Sequence, residues 1–288
     1  MFKVYTVGSV TGGNAFLLVT EEKTAMIDTG FSFTAKAVAE NVRNKLRGRN
    51  LDYIILTHSH YDHVSAAMTC KKIWKDVKIV AAQHADEVFA KPSAINRMRK
   101  LNRSAALMFG KLPLYNDTLK GLRADIIVKE GDILDMGSLK FRVMETPGHT
   151  WDTIALWCEE EKFLIANETI GVWVTESILS PACLVSHKKC LEFVERAKAL
   201  KPEKILVPHY DMIYGDLCEK YLDLSIKWHN AYKDFVVSSY KEGKTKKEIM
   251  EDGKRRFWVG IVRAGQPEMA FDMNNKHVVN TIIKEYCE

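Results

Sequence analysis

Short apolar runs separated by turn residues open the chain. Residues 2–7, 15–20 and 24–27 read as strands, the first two joined by a turn at Gly12-Gly13. Asp28-Thr29-Gly30 stops the third, and the apolar spacing over 31–46 predicts an amphipathic helix. A buried-type strand at 53–56 then runs straight into Thr57-His58-Ser59-His60-Tyr61-Asp62-His63. A short helix at 64–72 and a strand at 77–82 follow, and the stretch 91–123 reads as helical and irregular. Strands return at 139–143, 153–157 and 163–166, then a helix at 188–200 and a strand at 204–207. Strands mixed with helices in this order predict sheet layers covered by helices, an α/β fold. From Asp216 the texture changes. Leu217, Tyr221, Leu224, Trp228, Ala231 and Phe235 recur at helical steps, so 216–288 reads as a mostly helical C-terminal appendage to a domain at 1–215.

Composition narrows the class. With 288 residues, 47% hydrophobic and 27% charged, the chain has an ordinary globular make-up and enough length to bury a full core. The longest uncharged N-terminal stretch, 4–20, is broken by Gly8, Gly12, Gly13 and Asn14, so no membrane span is expected. No secretory pattern is visible, and the six cysteines include no Cys-x-x-Cys pair. A cytoplasmic protein with free thiols and no membrane partner is expected. Charge is uneven: residues 91–123 hold eight Lys or Arg against one acid, Asp117, more than accounting for the net +5. That describes one local basic region, expected near the mouth of a pocket, and not a nucleic-acid surface over the whole protein.

The sharpest chemical signal is His58-x-His60-x-Asp62-His63, directly after a strand. Imidazole and carboxylate together suit zinc, iron or manganese. No Cys lies in the cluster, so a closed structural zinc site is disfavoured and a catalytic site with open positions is favoured. Three further metal-competent residues follow strands: His149 in Pro147-Gly148-His149-Thr150, Glu168 in Asn167-Glu168-Thr169, and His209 in Pro208-His209-Tyr210. Residues at strand ends can converge on one sheet edge. His84, His187, His229 and His277 are expected in structural or surface roles.

These ordered motifs resemble the metallo-β-lactamase superfamily over about residues 1–215. The resemblance implies an αββα sandwich with two central sheets, here carrying a helical C-terminal extension. It implies that His58, His60 and His149 hold one metal ion, that Asp62, His63 and His209 hold another, and that a carboxylate bridges them. Asp28 resembles the family's supporting acid and is not a ligand. The bridging residue is usually Asp. Here the matching position is Glu168, and no Asp between Asp152 and Asp211 competes with it. The 85 residues between His63 and His149 exceed those of compact members, the excess being the basic stretch.

Two divalent ions, zinc first with iron or manganese as alternatives, would activate a bridging water near neutral pH and polarise a carbonyl or phosphoryl oxygen. Asp62 would orient the water or take its proton. The expected activity is therefore hydrolysis of a small ester, thioester, lactone or amide, with an anionic or amphipathic substrate suggested by the basic stretch. Family lactonases carry a Tyr three residues after the bridging carboxylate. Gly171 stands there, which lowers that option. Phosphodiester cleavage by a nuclease of the same fold is the alternative, although nucleic acid is a poor fit to a basic stretch with few interleaved aromatics. An iron-dependent oxidoreductase ranks lower, since flavodiiron enzymes place Glu where His60 stands and need a flavin domain larger than the 73 residues after Gly215. The C-terminal helices would cap the pocket or form a homodimer seam.

Overall fold

Buried apolar runs build the first sheet in the computed structural model, which describes residues 1–260 and 267–288. Residues 261–266 of the expected helical stretch lie outside the described residues. By its internal contacts the chain divides into two units, 1–145 with 158–160, and 146–157 with 161–288.

The first unit carries a six-stranded sheet, in order β1 (Lys3–Thr6), β2 (Phe16–Val19), β3 (Thr24–Ile27), β4 (Tyr53–Ile55), β5 (Lys78–Ala82) and β6 (Ile126–Val128). The first three strands pair antiparallel, and β3 to β6 run parallel. Parallel strands need covered faces. Helix α1 (Ala35–Leu46) supplies part of the cover, burying Val38, Ala39, Val42 and Leu46 against Leu17, Met26 and Ile54. It ends where Arg47 adopts the left-handed conformation. The register Ile27↔Ile55 sends Asp28 and Leu56-Thr57-His58 off the same edge.

Two local departures from the sequence pattern have clear causes. The helix expected from residue 31 begins with a 3-10 turn at Ser32–Thr34, because Phe31 and Phe33 stack on each other at 5.0 Å in a small aromatic core. The helix expected over 64–72 is two pieces, α2 (Tyr61–Val64) and α3 (Ala67–Ile73). Between them the Ala66 amide donates to Thr29 Oγ1 at 3.1 Å, outside any helical ladder. Next come α4 (Gln83–Phe89) and α5 (Pro92–Met108), the latter a regular helix where an irregular one was expected. Its buried Asn102 accepts from the Ser32 amide and donates to Ser65 Oγ, locking the helix in place. The hairpin β7 (Ile133–Asp135) and β8 (Lys140–Glu145) completes this unit.

In the second unit β9 (Ile154–Cys158) neighbours β10 (Phe163–Ile165). Strand β10 pairs parallel with β13 (Lys204–Leu206), and β13 pairs antiparallel with β14 (Met212–Tyr214). The register Ile165↔Leu206 brings Ala166-Asn167-Glu168 and Val207-Pro208-His209 off one edge. A separate hairpin joins β11 (Val172–Thr175) and β12 (Ile178–Ser180). Strands β6, β7, β11, β12 and β14 are as short as several that the pattern finds, but most of their residues are partly buried or exposed, so they lack the buried apolar run that marks β4, β10 and β13.

Helices α6 (His187–Ala199), α7 (Asp216–Lys241), α8 (Lys246–Phe257) and α9 (Glu268–Tyr286) follow the same logic of buried stripes and caps. Ser186 caps α6, and Thr245 with Glu248 forms a capping box on α8. The buried face of α7 is Cys218, Tyr221, Leu222, Leu224, Ser225, His229, Tyr232, Val236 and Ser239. Of the predicted stripe Tyr221 and Leu224 are buried and Leu217 is exposed, and the face is turned toward Ser225 and His229, buried polar residues that an apolar count passes over. Among the described residues no helix is long and apolar enough to cross a membrane.

Candidate metal centre

The first unit assembles its histidines around Asp28. This carboxylate, fully buried at the end of β3, sits at φ +56, a region that non-glycine residues rarely adopt. Its Oδ1 accepts from the Thr57 amide at 2.8 Å, and its Oδ2 accepts from Thr57 Oγ1 and Asn14 Nδ2, both at 2.8 Å. His63 Nδ1 stands 2.7 Å from Oδ2 and must donate, since the carboxylate offers only acceptors. The lone pair of His63 is therefore on Nε2. The Thr57 hydroxyl spends its one proton on Asp28, so at 3.0 Å it accepts from His58 Nδ1. His58 likewise carries its lone pair on Nε2.

The rings are close. Centroids of His58 and His60 lie 4.7 Å apart, and those of His58 and His63 4.1 Å apart. His58 and His60 each offer a ligand nitrogen within 4.8 Å of the other's, and His63 pairs in the same way with Asp62. Asp62 Oδ2 is 3.8 Å from His63 Nε2, and Asp62, like His60, is only partly buried. The Thr29 hydroxyl donates to the His63 carbonyl at 2.8 Å and pins the short helix α2 that carries Asp62 and His63. All four residues singled out in the loop after β4 are thus brought together, and Asp28 supports them without joining them.

The second unit carries metal-competent residues on three loops. Gly148 has φ +153, and a Cβ there would lie 2.6 Å from Cys190 Sγ and 2.9 Å from the Cys190 amide nitrogen, so only glycine fits. His149 follows, with its Nδ1 donating to the Ala182 carbonyl at 2.7 Å, which again leaves Nε2 with the lone pair. Asn167 fastens the next loop, donating to Thr146 Oγ1 and the Ile154 carbonyl while its own Oδ1 accepts from the Thr169 amide. The Thr169 hydroxyl donates to the Thr146 carbonyl at 2.7 Å, joining the His149 and Glu168 loops. Glu168 is buried, and its Oε1 accepts from His209 Nε2 at 2.7 Å. His209, like Asp28, has a positive φ, +59.

The donor set is all imidazole and carboxylate, with three Nε2 lone pairs fixed by a hydrogen bond at the opposite nitrogen. That arrangement suits zinc, iron or manganese, and orienting partners of this kind are what metal-binding histidines use. Thr57, Asn14, Thr169 and Ala182 were not foreseen from sequence. Thr57 could have been suspected from its place immediately before His58. A carbonyl such as that of Ala182 leaves no trace in side-chain identity. Gly171, three residues after Glu168, has φ +99, and a Cβ there would meet Leu179 Cδ2 at 2.3 Å. A tyrosine cannot occupy that position in this backbone.

The remaining histidines have other surroundings. His84 is on an exposed face of α4, 3.3 Å from Glu87. His187 and His229 are fully buried on α6 and α7, with His187 Nδ1 2.9 Å from the Tyr286 hydroxyl and His229 Nδ1 2.9 Å from the Ser225 carbonyl.

Known proteins resemble this chain in sequence and in fold. A metallo-beta-lactamase fold-containing protein of Sulfurisphaera tokodaii is 24% identical over 211 residues, 72% of this chain and 76% of that protein. A hydroxyacylglutathione hydrolase of Francisella tularensis subsp. novicida is 27% identical over 128 residues, 44% of this chain but only 36% of the enzyme. The crystal structure of a metallo-beta-lactamase family protein from Thermus thermophilus superposes with a TM-score of 0.66 at 18% identity, covering 99% of this chain and 93% of that one. The overlap shows the fold, and it extends through the C-terminal helices. The sequence model of the metallo-beta-lactamase superfamily matches residues 8–209, from the first sheet to His209, and the chain belongs to that superfamily.

Proposed function

We propose that the protein is a dinuclear metal hydrolase. In this reading His58, His60 and His149 would hold one divalent ion, Asp62, His63 and His209 would hold a second, and Glu168 would be a ligand common to both. The observation that carries it is the fixed tautomer of His58, His63 and His149, each with Nδ1 committed to a protein oxygen and Nε2 left as a donor. Superfamily membership supports it, since the family model spans every proposed ligand. Zinc is the first choice of ion for an imidazole and carboxylate set without thiolate, followed by iron or manganese.

Bound ions of this kind supply Lewis acidity, making water a nucleophile near neutral pH and polarising the bond it attacks. The chain's own residues do the rest. Asp28 holds the His63 ring, Thr57 holds His58, and Ala182 holds His149, so the ligands are oriented before substrate arrives. Asp62, the most solvent-reached carboxylate of the set, accepts a proton from the attacking water at Oδ. The substrate is a small ester, thioester or amide, anionic or amphipathic in character. A lactone handled through a tyrosine after the bridging carboxylate is disfavoured by Gly171. Residues 1–215 carry the chemistry in this reading and 216–288 form a helical appendage. A reducing, cytoplasmic setting belongs to the same reading.

The test is an initial-rate panel on zinc-, manganese- and iron-loaded protein, using acyl thioesters, aryl esters, amides and a phosphodiester. Activity on an acyl compound that disappears in His58→Ala and Glu168→Gln supports the reading. Turnover of the phosphodiester alone would replace it with the nuclease reading.

A further inference from the structure

The end of α5 and the turn after it hold four large apolar side chains in solvent. Leu107, Met108, Leu112 and Leu114 are 66%, 45%, 36% and 60% exposed. Single exposed leucines are ordinary, but four within eight consecutive residues form a patch. The segment is not a frayed end. Gly110, at φ +63, reverses the chain, and the Lys111 amide donates back to the Ala106 carbonyl at 2.7 Å. The Leu114 amide then donates to the Lys111 carbonyl at 2.8 Å. Phe109 turns inward, its ring 6.0 Å from Phe31 and 5.9 Å from Phe33. The four side chains therefore stand on the outside of a shaped, anchored knob.

The charges around it are of one sign. Lys100, Arg103 and Lys111 are exposed and belong to no ion pair among the described residues. Asp117, the only acid of the basic stretch, is taken by Arg99 at 2.9 Å. At 1.5 Å per residue, Arg103 lies about 6 Å and Lys100 about 10 Å from Leu107 along the helix. Arg103 is within one Debye length, about 8 Å at physiological salt, and Lys100 is just beyond it. Lys111 stands inside the knob.

An apolar tip collared by cations fits a boundary that is hydrocarbon within and anionic at its rim. We propose that this knob docks the protein on an anionic lipid bilayer, with Leu107, Met108, Leu112 and Leu114 entering the interface and Lys100, Arg103 and Lys111 meeting headgroup phosphates. Such docking needs no spanning helix, so it departs from the expected absence of a membrane partner and leaves the expected absence of a span untouched. Three basic residues near such a surface, each worth roughly fivefold in partitioning, give roughly a hundredfold preference for anionic over neutral lipid. The proposal is independent of the hydrolase reading and needs no turnover to test.

The experiment is flotation of the full chain with extruded vesicles of phosphatidylcholine alone, or with 30% phosphatidylglycerol, at physiological salt. Binding to the anionic vesicles at least tenfold above the neutral ones is expected. Arg103→Glu with Lys111→Glu should abolish it. Leu107→Ser with Leu114→Ser should reduce it at least tenfold, with unchanged far-ultraviolet dichroism and melting. Equal partitioning to both vesicles, or no binding to either, overturns the proposal. So does anionic binding that survives the serine pair, which would mark a general polyanion surface and would be matched by capture of a single-stranded oligonucleotide. A dimer on gel filtration that the serine pair dissolves, without vesicle binding, would assign the knob to a second copy of the chain.

Discussion

His63 Nδ1 donates to Asp28 Oδ2 at 2.7 Å with both side chains fully buried, and Asp28 takes three further hydrogen bonds from Thr57 and Asn14. The carboxylate thus fixes one imidazole directly and a second through the Thr57 hydroxyl. Replacing it by Asn keeps the shape but removes the charge and puts an amide donor among groups that already donate. Asp28→Asn is expected to lower metal affinity by about 10- to 100-fold, read by competition against a chelator. Retention of wild-type affinity in a folded Asp28→Asn protein would mean that the pair does not orient a ligand.

Gly148 allows the loop before His149 to pass against α6. Gly148→Ala would set a Cβ 2.6 Å from Cys190 Sγ and 2.9 Å from the Cys190 amide nitrogen at a φ that L-residues avoid. A loss of about 2 kcal/mol or more is expected in denaturant unfolding. Adding Cys190→Ala should recover little, because the backbone nitrogen remains in the way. Full recovery would show that only the thiol matters.

Protonation of the buried histidine pair should set part of the acid sensitivity. Burial, helped by neighbouring His187, pushes the His229 imidazole down to about 3, and burial lowers His187 as well. Unfolded, both titrate near their ordinary value of 6.5. The unfolded chain then binds protons that the folded chain refuses. This contribution to stability is intact above about pH 6.5 and declines as pH falls toward about 3, by up to about 1.4 kcal/mol per pH unit for His229, with His187 acting in the same direction. The His229 Nε2 atom has no hydrogen-bond partner, so His229→Leu removes a buried polar atom as well as a titrating site. Denaturant midpoints at pH 7, 6 and 5 should fall less steeply in that variant. An unchanged slope would contradict the assignment.

The Glu168 position separates two ways of holding ions. If its carboxylate is shared, Glu168→Gln should lose both ions, whereas Glu168→Asp should keep them with altered affinity. Metal content after desalting reads the difference. Loss of one ion only in Glu168→Gln would make Glu168 a ligand to a single metal.

Much of the site was legible because ligands follow strands, and strands here are apolar runs ending abruptly in polar loops. His58, His60, Asp62 and His63 occupy one such loop after β4, and Glu168 and His209 leave one edge because β10 and β13 pair in parallel register. Supporting groups were less legible. Asp28 stood out as part of a motif, whereas Asn14 reaches it across the sheet, and the Ala182 carbonyl carries no side-chain signal. The face of α7 was read only in part for a related reason. Ser225 is buried donating to the distant Ile170 carbonyl and His229 is buried beside the Ser225 carbonyl, which hydrophobic periodicity cannot register. Element ends failed where tertiary contacts cut helices short, as Thr29 does between α2 and α3.

The central claim is that His58, His60, Asp62, His63, His149, Glu168 and His209 together hold two divalent ions. Elemental analysis of protein purified without added metal tests it most directly. About two ions per chain are expected, falling to one or none in His58→Ala and in His209→Ala while both variants remain folded. Fewer than one ion per chain after reconstitution with zinc, manganese and iron in turn, or a content unaffected by either variant, would contradict it.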